Sequence, residues 1–311
     1  MVNYLFIFIV ALLLVAKGAT LAVRYAVRLA ESFCLSKYTI GFIVIAFISV
    51  LPETLISLNA AIKGVSSFGL GMLFGSNIAD LTLLFAAIVF MVGRNIKVET
   101  KIIKNHSFYP FVLILPLILG LNGHYSRLEG MALALSGGIF CYLVFRKGPK
   151  ELSITENKSN SRKLLNSAML LLGLAIMLIG SYFVVLSATK LADHLGINPI
   201  LIGMLVVGLG TTLPEFFFSL KSVKRNDDSL AVGDILGTVL ADSTIVVGIL
   251  ALAKPFFFPV RIIYITGLFM VVASFVLFKF MKSGKILSRK EATMLFLFWV
   301  IFVLVEFLTN T

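Results

Sequence analysis

The sequence predicts an all-α polytopic membrane protein with ten transmembrane helices, arranged as two inverted five-helix repeats. Hydrophobic residues make up 59% of its 311 residues and charged residues only 14%, whereas a soluble domain has about 25% charged residues. The mean hydropathy is +1.04. Long apolar runs recur along the whole chain, and one pair of polar motifs occurs twice within them. Lipid rather than water is therefore the expected solvent of most of the chain.

Ten apolar runs predict the helices, because a helical span needs about 20 residues. The runs lie near 2–31, 38–64, 69–93, 106–122, 126–146, 164–194, 199–223, 229–254, 257–280 and 288–308. Five runs precede a polar stretch and five follow it. We therefore divide the chain into a first repeat at 1–146, a linker at 147–163 and a second repeat at 164–311. The linker is too short for a regulatory domain.

The basic residues predict the orientation in the membrane. Nineteen of the 27 Lys and Arg residues lie at the connections after odd-numbered runs, and five at those after even-numbered runs. Because Lys and Arg concentrate on the cytoplasmic side, we expect an integral protein of the cytoplasmic membrane with both termini outside and the linker in the cytoplasm. This distribution explains the net charge of +12 without a nucleic-acid partner. The lipid bilayer is the expected environment, and no obligate protein partner is inferred.

Two polar motifs interrupt the apolar runs, once in each half. The copies are Ser49–Glu53 with Gly75–Asp80, and Thr211–Glu215 with Gly237–Asp242. Equivalent residues lie 162 positions apart, and no gap is needed between residues 18 and 80. Each half has an odd number of runs, so the second half enters the membrane from the opposite side. Such inverted repeats usually hold their binding site near the membrane midplane, between broken helices.

The first motif places a carboxylate beside a helix break. Proline removes a backbone donor and clashes with the carbonyl four residues earlier, so Pro52 and Pro214 predict kinked or unwound helices. In lipid, carbonyls that lose a partner must find another, and buried acids mark functional sites. Hard cations such as Ca²⁺ and Na⁺ take carboxylate, carbonyl and hydroxyl oxygens. We therefore predict a cation site around Glu53 and Glu215. The candidate carbonyl ligands are those of Ser49, Val50, Thr211 and Thr212.

The second motif adds hydroxyl and carboxylate oxygens. Ser76 and Asp80 are four residues apart and project from one helix face, and Thr238 and Asp242 repeat this spacing. The predicted ligand set is Glu53, Glu215, Asp80, Asp242, Ser49, Thr211, Thr212, Ser76 and Thr238. No catalytic residue and no cofactor is predicted.

Four other polar residues lie outside this set. Ser57 and Ser219 are expected to bond their own helix backbone, as isolated serines in membrane helices usually do. Asn77 has Val239 as its repeat mate and is assigned to packing or to capping. Asp234 has Met72 as its repeat mate, and its place, in the site or near the cytoplasmic mouth, stays open.

The paired motifs resemble the α-repeats of the sodium/calcium exchanger family, in particular the small prokaryotic members of the cation/calcium antiporter superfamily. The resemblance rests on Gly210–Glu215 and Gly75–Asp80, and with the repeats and the short linker it extends over nearly the whole chain. It implies a calcium-extruding antiporter with alternating access. Glu53 and Glu215 would then be the central calcium ligands, together with the carbonyls of Ser49 and Thr211. The adjoining cation positions would be lined by Ser76, Asp80, Thr212, Thr238 and Asp242.

The chain departs from the family pattern at the hydroxyl and amide positions. Val50 stands where the family has a serine whose hydroxyl binds sodium, while Thr212 keeps a hydroxyl at the equivalent place. Both repeats carry an aspartate, Asp80 and Asp242, where an asparagine is common in at least one. Clustered carboxylates favour protons as counter-ions when no metal is bound. The departures therefore favour proton coupling over sodium coupling.

The leading hypothesis is exchange of cytoplasmic Ca²⁺, or a similar divalent cation, for Na⁺ or H⁺. A sodium-independent cation/proton exchanger is the first alternative. A cation channel with a carboxylate ring is a second, although inverted repeats with broken helices favour alternating access. An intramembrane protease with an aspartate dyad is a third, but such chemistry has no use for the paired Pro-Glu motifs.

Overall fold

A computed structural model describes residues 2–32, 46–98, 108–146 and 160–310 of the chain, which are predominantly helical. The helices are α1 (Val2–Ser32), α2 (Ala46–Ser49), α3 (Leu51–Ile62), α4 (Ser66–Val92), α5 (Tyr109–Val112), α6 (Leu115–Leu119), α7 (Arg127–Arg146), α8 (Asn160–Leu195), α9 (199–211), α10 (Leu213–Lys224), α11 (Asp228–Ala253), α12 (Ile262–Lys282) and α13 (Arg289–Asn310). The strands are β1 (Ile96–Lys97), β2 (His124–Tyr125), β3 (Phe256–Phe257) and β4 (Ile286–Leu287).

Seven helical stretches among the described residues are long and apolar enough to cross a membrane. They lie in α1, α4, α8, the α9–α10 pair, α11, α12 and α13. The predicted second, fourth and fifth runs are not among them. For the second run, residues 38–45 lie outside the described part of the chain. The fifth run forms α7, which begins with Arg127 and carries Glu129 in its first turn.

The fourth predicted run, near 106–122, differs most from its prediction. The structure has two short helices, α5 and α6, in place of one long helix, with Pro110 and Pro116 in their first turns. Proline fits the first turn of a helix but not its interior, so the second proline starts a new helix rather than continuing the first. The Tyr125 hydroxyl donates to the Pro116 carbonyl at 2.6 Å and holds this segment against β2.

Only the C-terminal end of the predicted linker lies in the described part of the chain. Helix α8 begins at Asn160, so the last four residues of the predicted linker are helical. Residues 147–159 lie outside the described part of the chain.

Helices α1 and α8 pack along each other, one from each half of the chain. A Cβ at Gly18 would lie 2.9 Å from the Gly173 carbonyl, and one at Gly180 would lie 2.9 Å from the Val15 side chain. Small residues allow membrane helices to approach this closely. The outer faces carry exposed leucines and phenylalanines, for example Phe6, which is 68% exposed. This pair therefore presents a broad apolar surface to lipid.

Helix α4 crosses α9 at two glycines of its own. A Cβ at Gly75 would lie 2.5 Å from both the Cγ and the carbonyl oxygen of Met204, and one at Gly71 would lie 2.7 Å from Ile200. Every residue of α4 from Phe68 to Thr82 is buried. The crossing brings the second motif of the first repeat against the helix that carries the first motif of the second repeat.

Two antiparallel strand pairs join the halves at opposite ends of the helices. Strand β1 pairs with β4, and β2 pairs with β3. Beside the first pair, Arg94 forms a bidentate ion pair with Asp228 at 2.7 and 2.8 Å, which raises the pKa of the Arg94 guanidinium. Arg289 donates to the Gly93 carbonyl at the same end. We call this end, with Arg94, Lys97 and Arg289, the basic face.

Gly75→Ala tests the helix crossing. We expect it to destabilise the protein by about 1–3 kcal/mol, the usual cost of overpacking, because the backbone of Met204 leaves no room for a methyl group. Gly138→Ala is the matched control, since a Cβ there meets nothing within 4 Å and alanine favours the helix. Thermal unfolding midpoints of the purified proteins measure both changes. Equal midpoints for the two variants would contradict the crossing geometry.

Candidate cation site

The first helix break lies at the first motif, as predicted. Helix α2 ends at Ser49 and α3 begins at Leu51, with Pro52 in its first turn. The amide of Thr54 donates to the Val50 carbonyl at 3.0 Å, and its hydroxyl donates to the same oxygen at 2.8 Å. The Val50 carbonyl, one of the candidate ligands, is thus already occupied. The interrupted ladder leaves the Ser49 carbonyl without the amide partner of a continuous helix.

The second break repeats this arrangement. Helix α9 ends at Thr211 and α10 begins at Leu213, with Pro214 in its first turn. The amide of Phe216 donates to the Thr212 carbonyl at 2.9 Å, so this predicted carbonyl is also occupied. The Thr211 carbonyl corresponds to that of Ser49. Thr212 retains its hydroxyl as a possible ligand, and this hydroxyl donates to the Leu209 carbonyl at 3.0 Å.

The second motif lies at a π-helical turn in each half. A π turn occupies Asp80–Leu84 within α4, and another occupies Ala241–Val246 within α11. Such single turns are frequent at functional sites, because the wider ring frees backbone and reorients side chains. Both aspartates of the predicted ligand set therefore lie at the start of a local widening. No proline or glycine marks these turns, so the sequence analysis missed them.

All nine predicted ligand residues are buried in the protein. The exposed fraction is 2% or less for the four acids Glu53, Asp80, Glu215 and Asp242. The remaining members, Ser49, Ser76, Thr211, Thr212 and Thr238, are at most 7% exposed. Burial in protein, rather than contact with lipid, is what membrane-embedded acids require.

Many oxygen atoms of this group lack hydrogen-bond partners among the described residues. They include Glu53 Oε2, Asp80 Oδ1, both carboxylate oxygens of Glu215 and of Asp242, and Thr238 Oγ1. Buried polar atoms are nearly always hydrogen-bonded, and an unbonded carboxylate oxygen inside a protein is costly. The carboxylate oxygens are acceptors, so a cation or a proton is the partner that their chemistry requires.

The acids of the two repeats lie in one electrostatic neighbourhood. The negative charge of Glu53 repels the carboxylates of Glu215, Asp80 and Asp242. The Thr211 hydroxyl lies within hydrogen-bonding range of the Glu53 carboxylate and of the Gly208 carbonyl, at 3.0 Å from the latter. Since one hydroxyl proton serves one acceptor at a time, Thr211 does not neutralise Glu53. The predicted acids of the two halves are thus close enough to influence one another, and no basic side chain among the described residues offsets them.

Glu306 shows how the same chain buries an acid that has partners. It is 1% exposed on α13 and accepts a hydrogen bond from Thr266, and its Oε2 lies 3.6 Å from Nη2 of Arg261. A cavity of about 70 Å³ adjoins these three residues, which are not members of the predicted ligand set. The contrast distinguishes a structural acid from the unpaired acids of the predicted site.

The acids do not form a metal site by themselves. Within the described ranges, no three His, Cys, Asp or Glu side chains come together at a spacing that would hold a metal ion. A cation between these helices would therefore need mixed ligands. The carbonyls of Ser49 and Thr211 and the hydroxyls of Ser76 and Thr238 are buried on the same helices as the acids and supply the oxygen types that hard cations accept.

Two expectations about the surrounding serines are wrong. The Ser219 hydroxyl donates to Asp234 Oδ2 at 3.4 Å, and the Ser57 hydroxyl has no partner among the described residues; neither bonds its own backbone. Asn77 is buried and donates to the Met270 sulfur at 3.6 Å, which fits packing against α12 rather than capping. Asp234 is 5% exposed and belongs to the buried acidic neighbourhood.

Comparisons with known proteins match nearly the whole chain. A family model described as "Sodium/calcium exchanger protein" matches residues 3–146 and 165–308. The uncharacterized membrane protein MJ0091 of Methanocaldococcus jannaschii is 29% identical over 280 residues, which cover 90% of each chain. The crystal structure of the H⁺/Ca²⁺ exchanger CAX superposes with a TM-score of 0.82 at 17% identity, covering 97% of this chain and 82% of that one. A structure of the sodium-calcium exchanger NCX_Mj soaked with Na⁺ and Sr²⁺ has a TM-score of 0.69 at 26% identity and covers 96% of each chain.

Cation-dependent stability tests the unpaired oxygens. A ligand at one hundred times its dissociation constant stabilises a folded protein by about 2.7 kcal/mol, and we expect Ca²⁺ to raise the unfolding midpoint of the wild type. Glu215→Gln should lose this rise, because the amide brings no negative charge to the cation.

Glu306→Gln is the matched control, a buried glutamate with partners of its own. It should keep the Ca²⁺-dependent rise, although its midpoint in chelator should fall because Arg261 loses its ion pair. A Ca²⁺-dependent rise that survives in Glu215→Gln would remove this residue from the site. Differential scanning fluorimetry in detergent measures the unfolding midpoint of each protein with chelator and with added Ca²⁺.

Proposed function

The chain belongs to the sodium/calcium exchanger family, and we propose that it exchanges Ca²⁺, or a similar divalent cation, for Na⁺ or H⁺ by alternating access. As a member of this family it is an integral membrane transporter rather than an enzyme. Its cargo is inorganic cations. The choice of ions and the direction of transport are the proposal.

The unpaired carboxylates carry the proposal. Glu53 and Glu215 lie beside equivalent helix breaks, are almost completely buried, and keep three oxygens without partners between them in the described part of the chain. A structural role would leave these acids with partners, as it does for Glu306. A transported cation, by contrast, needs ligands that are satisfied only while it is bound.

Each member of the ligand set has a role in the proposal. Glu53 and Glu215 are the central ligands of the divalent cation, and the carbonyls freed at Ser49 and Thr211 complete its shell. The adjoining positions for the second ion are lined by residues of α4 and α11 and of the break after α9. These residues are Ser76, Asp80, Thr212, Thr238 and Asp242.

We propose ten spans in two inverted repeats, 1–146 and 164–311, with both termini outside and the linker in the cytoplasm. The separate matches of one family model to the two halves support the duplication. The paired breaks and paired π turns support it further. The basic face, which collects Arg94, Lys97 and Arg289, is then the cytoplasmic face.

Competition between ions couples their movement in this arrangement. Four buried acids repel one another when the site is empty, so either a divalent cation or its counter-ions must occupy it before the charge is offset. An occupied and neutralised site lets one pair of helices slide past the rest and change the accessible side. Exchange without leak follows when the empty site resists this movement.

A cation/proton exchanger that ignores sodium is the second candidate. Val50 is buried without a hydroxyl, whereas Thr212 has one at the equivalent place. Asp80 and Asp242 are both carboxylates, which take protons more readily than amides do. These features favour H⁺ as the counter-ion.

Transport by Glu53→Gln tests the proposal. We expect uptake of radioactive Ca²⁺ into proteoliposomes to fall by about a hundredfold or more, because a central ligand loses its charge, while the protein still elutes as a folded species. Glu306→Gln should retain transport. Wild-type currents far above those of a carrier would favour a channel, and normal uptake by Glu53→Gln would overturn the ligand assignment.

Val50→Thr tests the coupling ion. Adding a hydroxyl at position 50, the equivalent of Thr212 in the other repeat, should raise the share of Ca²⁺ uptake that a Na⁺ gradient drives, since sodium gains an oxygen ligand. Val50→Ala is the control, because it changes volume without adding an oxygen. Dissipating the Na⁺ gradient and the pH gradient separately measures the two shares. Identical shares in both variants would exclude position 50 as a determinant.

A further inference from the structure

We propose that Asp234, Ser219 and Ser49 form a second oxygen site for the divalent cation, placed between the central acids and the basic face. The proposal rests on the proposed function, since it concerns the path by which the same cation reaches the same site. It assigns a role to an acid that has no counterpart in the other repeat.

Three helices build this position. Asp234 lies on α11, Ser219 on α10 and Ser49 at the end of α2. The Ser219 hydroxyl donates to Asp234 Oδ2 at 3.4 Å, and the Ser49 side chain lies close enough to influence the same carboxylate. Ser49 is itself the residue at the first helix break. The second site therefore adjoins the central one through a shared residue.

The position of Asp234 along α11 locates the second site. Helix α11 begins at Asp228, which the Arg94 ion pair anchors at the basic face. Asp234 follows six residues later and Thr238 ten residues later, which correspond to roughly 9 and 15 Å of helix. A cation that enters from the basic face thus passes Asp234 about one turn before it reaches Thr238.

The Asp234 carboxylate has no basic partner in the described part of the chain to explain its burial. It is only 5% exposed, and its Oδ1 accepts no hydrogen bond there. The negative charge of Asp234 repels the carboxylates of Asp80 and Glu215, so Asp234 adds to the repulsion within the empty site. Asp228, on the same helix, is held by Arg94 instead. A cation beside Asp234 would remove both the unpaired oxygen and the repulsion.

The other repeat has no equivalent acid. Asp234 corresponds to Met72, which is fully buried on α4, and Ser219 corresponds to Ser57, whose hydroxyl has no partner within the described ranges. In inverted repeats, equivalent positions lie toward opposite faces. The acid therefore serves the basic face alone, and the methionine stands on the route to the other face. This asymmetry should make the cation easier to capture from the basic face.

Asp234→Asn tests the second site. The measurement is exchange of radioactive Ca²⁺ on one side for unlabelled Ca²⁺ on the other, which needs no counter-ion, in membrane vesicles of either orientation. We expect the half-saturating Ca²⁺ concentration at the basic face to rise about tenfold or more, the usual loss with one charged ligand, and that at the opposite face to stay within about twofold.

Two further variants separate a ligand from a structural or surface effect. Asp227→Asn removes an exposed acid from the basic face next to the same helix and should leave both half-saturating concentrations unchanged. Ser219→Ala should raise the value at the basic face only, by about threefold, because Asp234 loses a hydrogen bond that orients it. If Asp234→Asn does not fold, Ser219→Ala decides the question by the same comparison of faces.

The outcomes distinguish this inference from the proposed function. Wild-type vesicles without Ca²⁺ exchange would refute the proposed function. If the wild type exchanges Ca²⁺ but Asp234→Asn leaves both half-saturating concentrations unchanged, or raises them equally at the two faces, only the second site is refuted. The same conclusion follows if Ser219→Ala causes no shift that is confined to the basic face.

Discussion

The unpaired carboxylate oxygens constrain the rest of this structure. Glu53, Asp80, Glu215 and Asp242 present six buried oxygens without hydrogen-bond partners among the described residues. In a membrane such a cluster is costly unless a cation or protons occupy it. The protein excludes lipid from the acids and, over the ranges that the structure describes, supplies no basic side chain to them. An energetic cost that a structural protein avoids is thus retained here, and occupancy by ions, as we propose, would relieve it.

Backbone irregularities make this cluster possible. The prolines interrupt α2–α3 and α9–α10 beside the glutamates, and π turns widen α4 and α11 at the aspartates. Glycines such as Gly75 let α4 and α9 cross with backbone contact. Regular helices with large side chains at these places would keep the four acids apart and their carbonyls occupied.

The repeat is symmetric in its acids and asymmetric around them. The glutamates and aspartates correspond pairwise, whereas Val50 corresponds to Thr212 and Met72 corresponds to Asp234. A fully symmetric site would bind equally from either side and offer identical positions to every ion. In the transport that we propose, the hydroxyl asymmetry would affect the choice of counter-ion, and the acid asymmetry would affect the face from which the cation is captured.

The amino-acid sequence was enough to predict the membrane class, the repeat and the nine ligand candidates, because apolar length, charge placement and the duplicated motifs are local features. It also determined the two helix breaks, since proline acts on its own helix. The structure was needed to show which carbonyls are free, where the π turns lie, and that Pro110 and Pro116 divide the run near 106–122 into two short helices. Packing between α10 and α11 also directs the Ser219 hydroxyl to Asp234 rather than to its own helix backbone. The Ser219 contact depends on a neighbouring helix, whose approach no local pattern encodes.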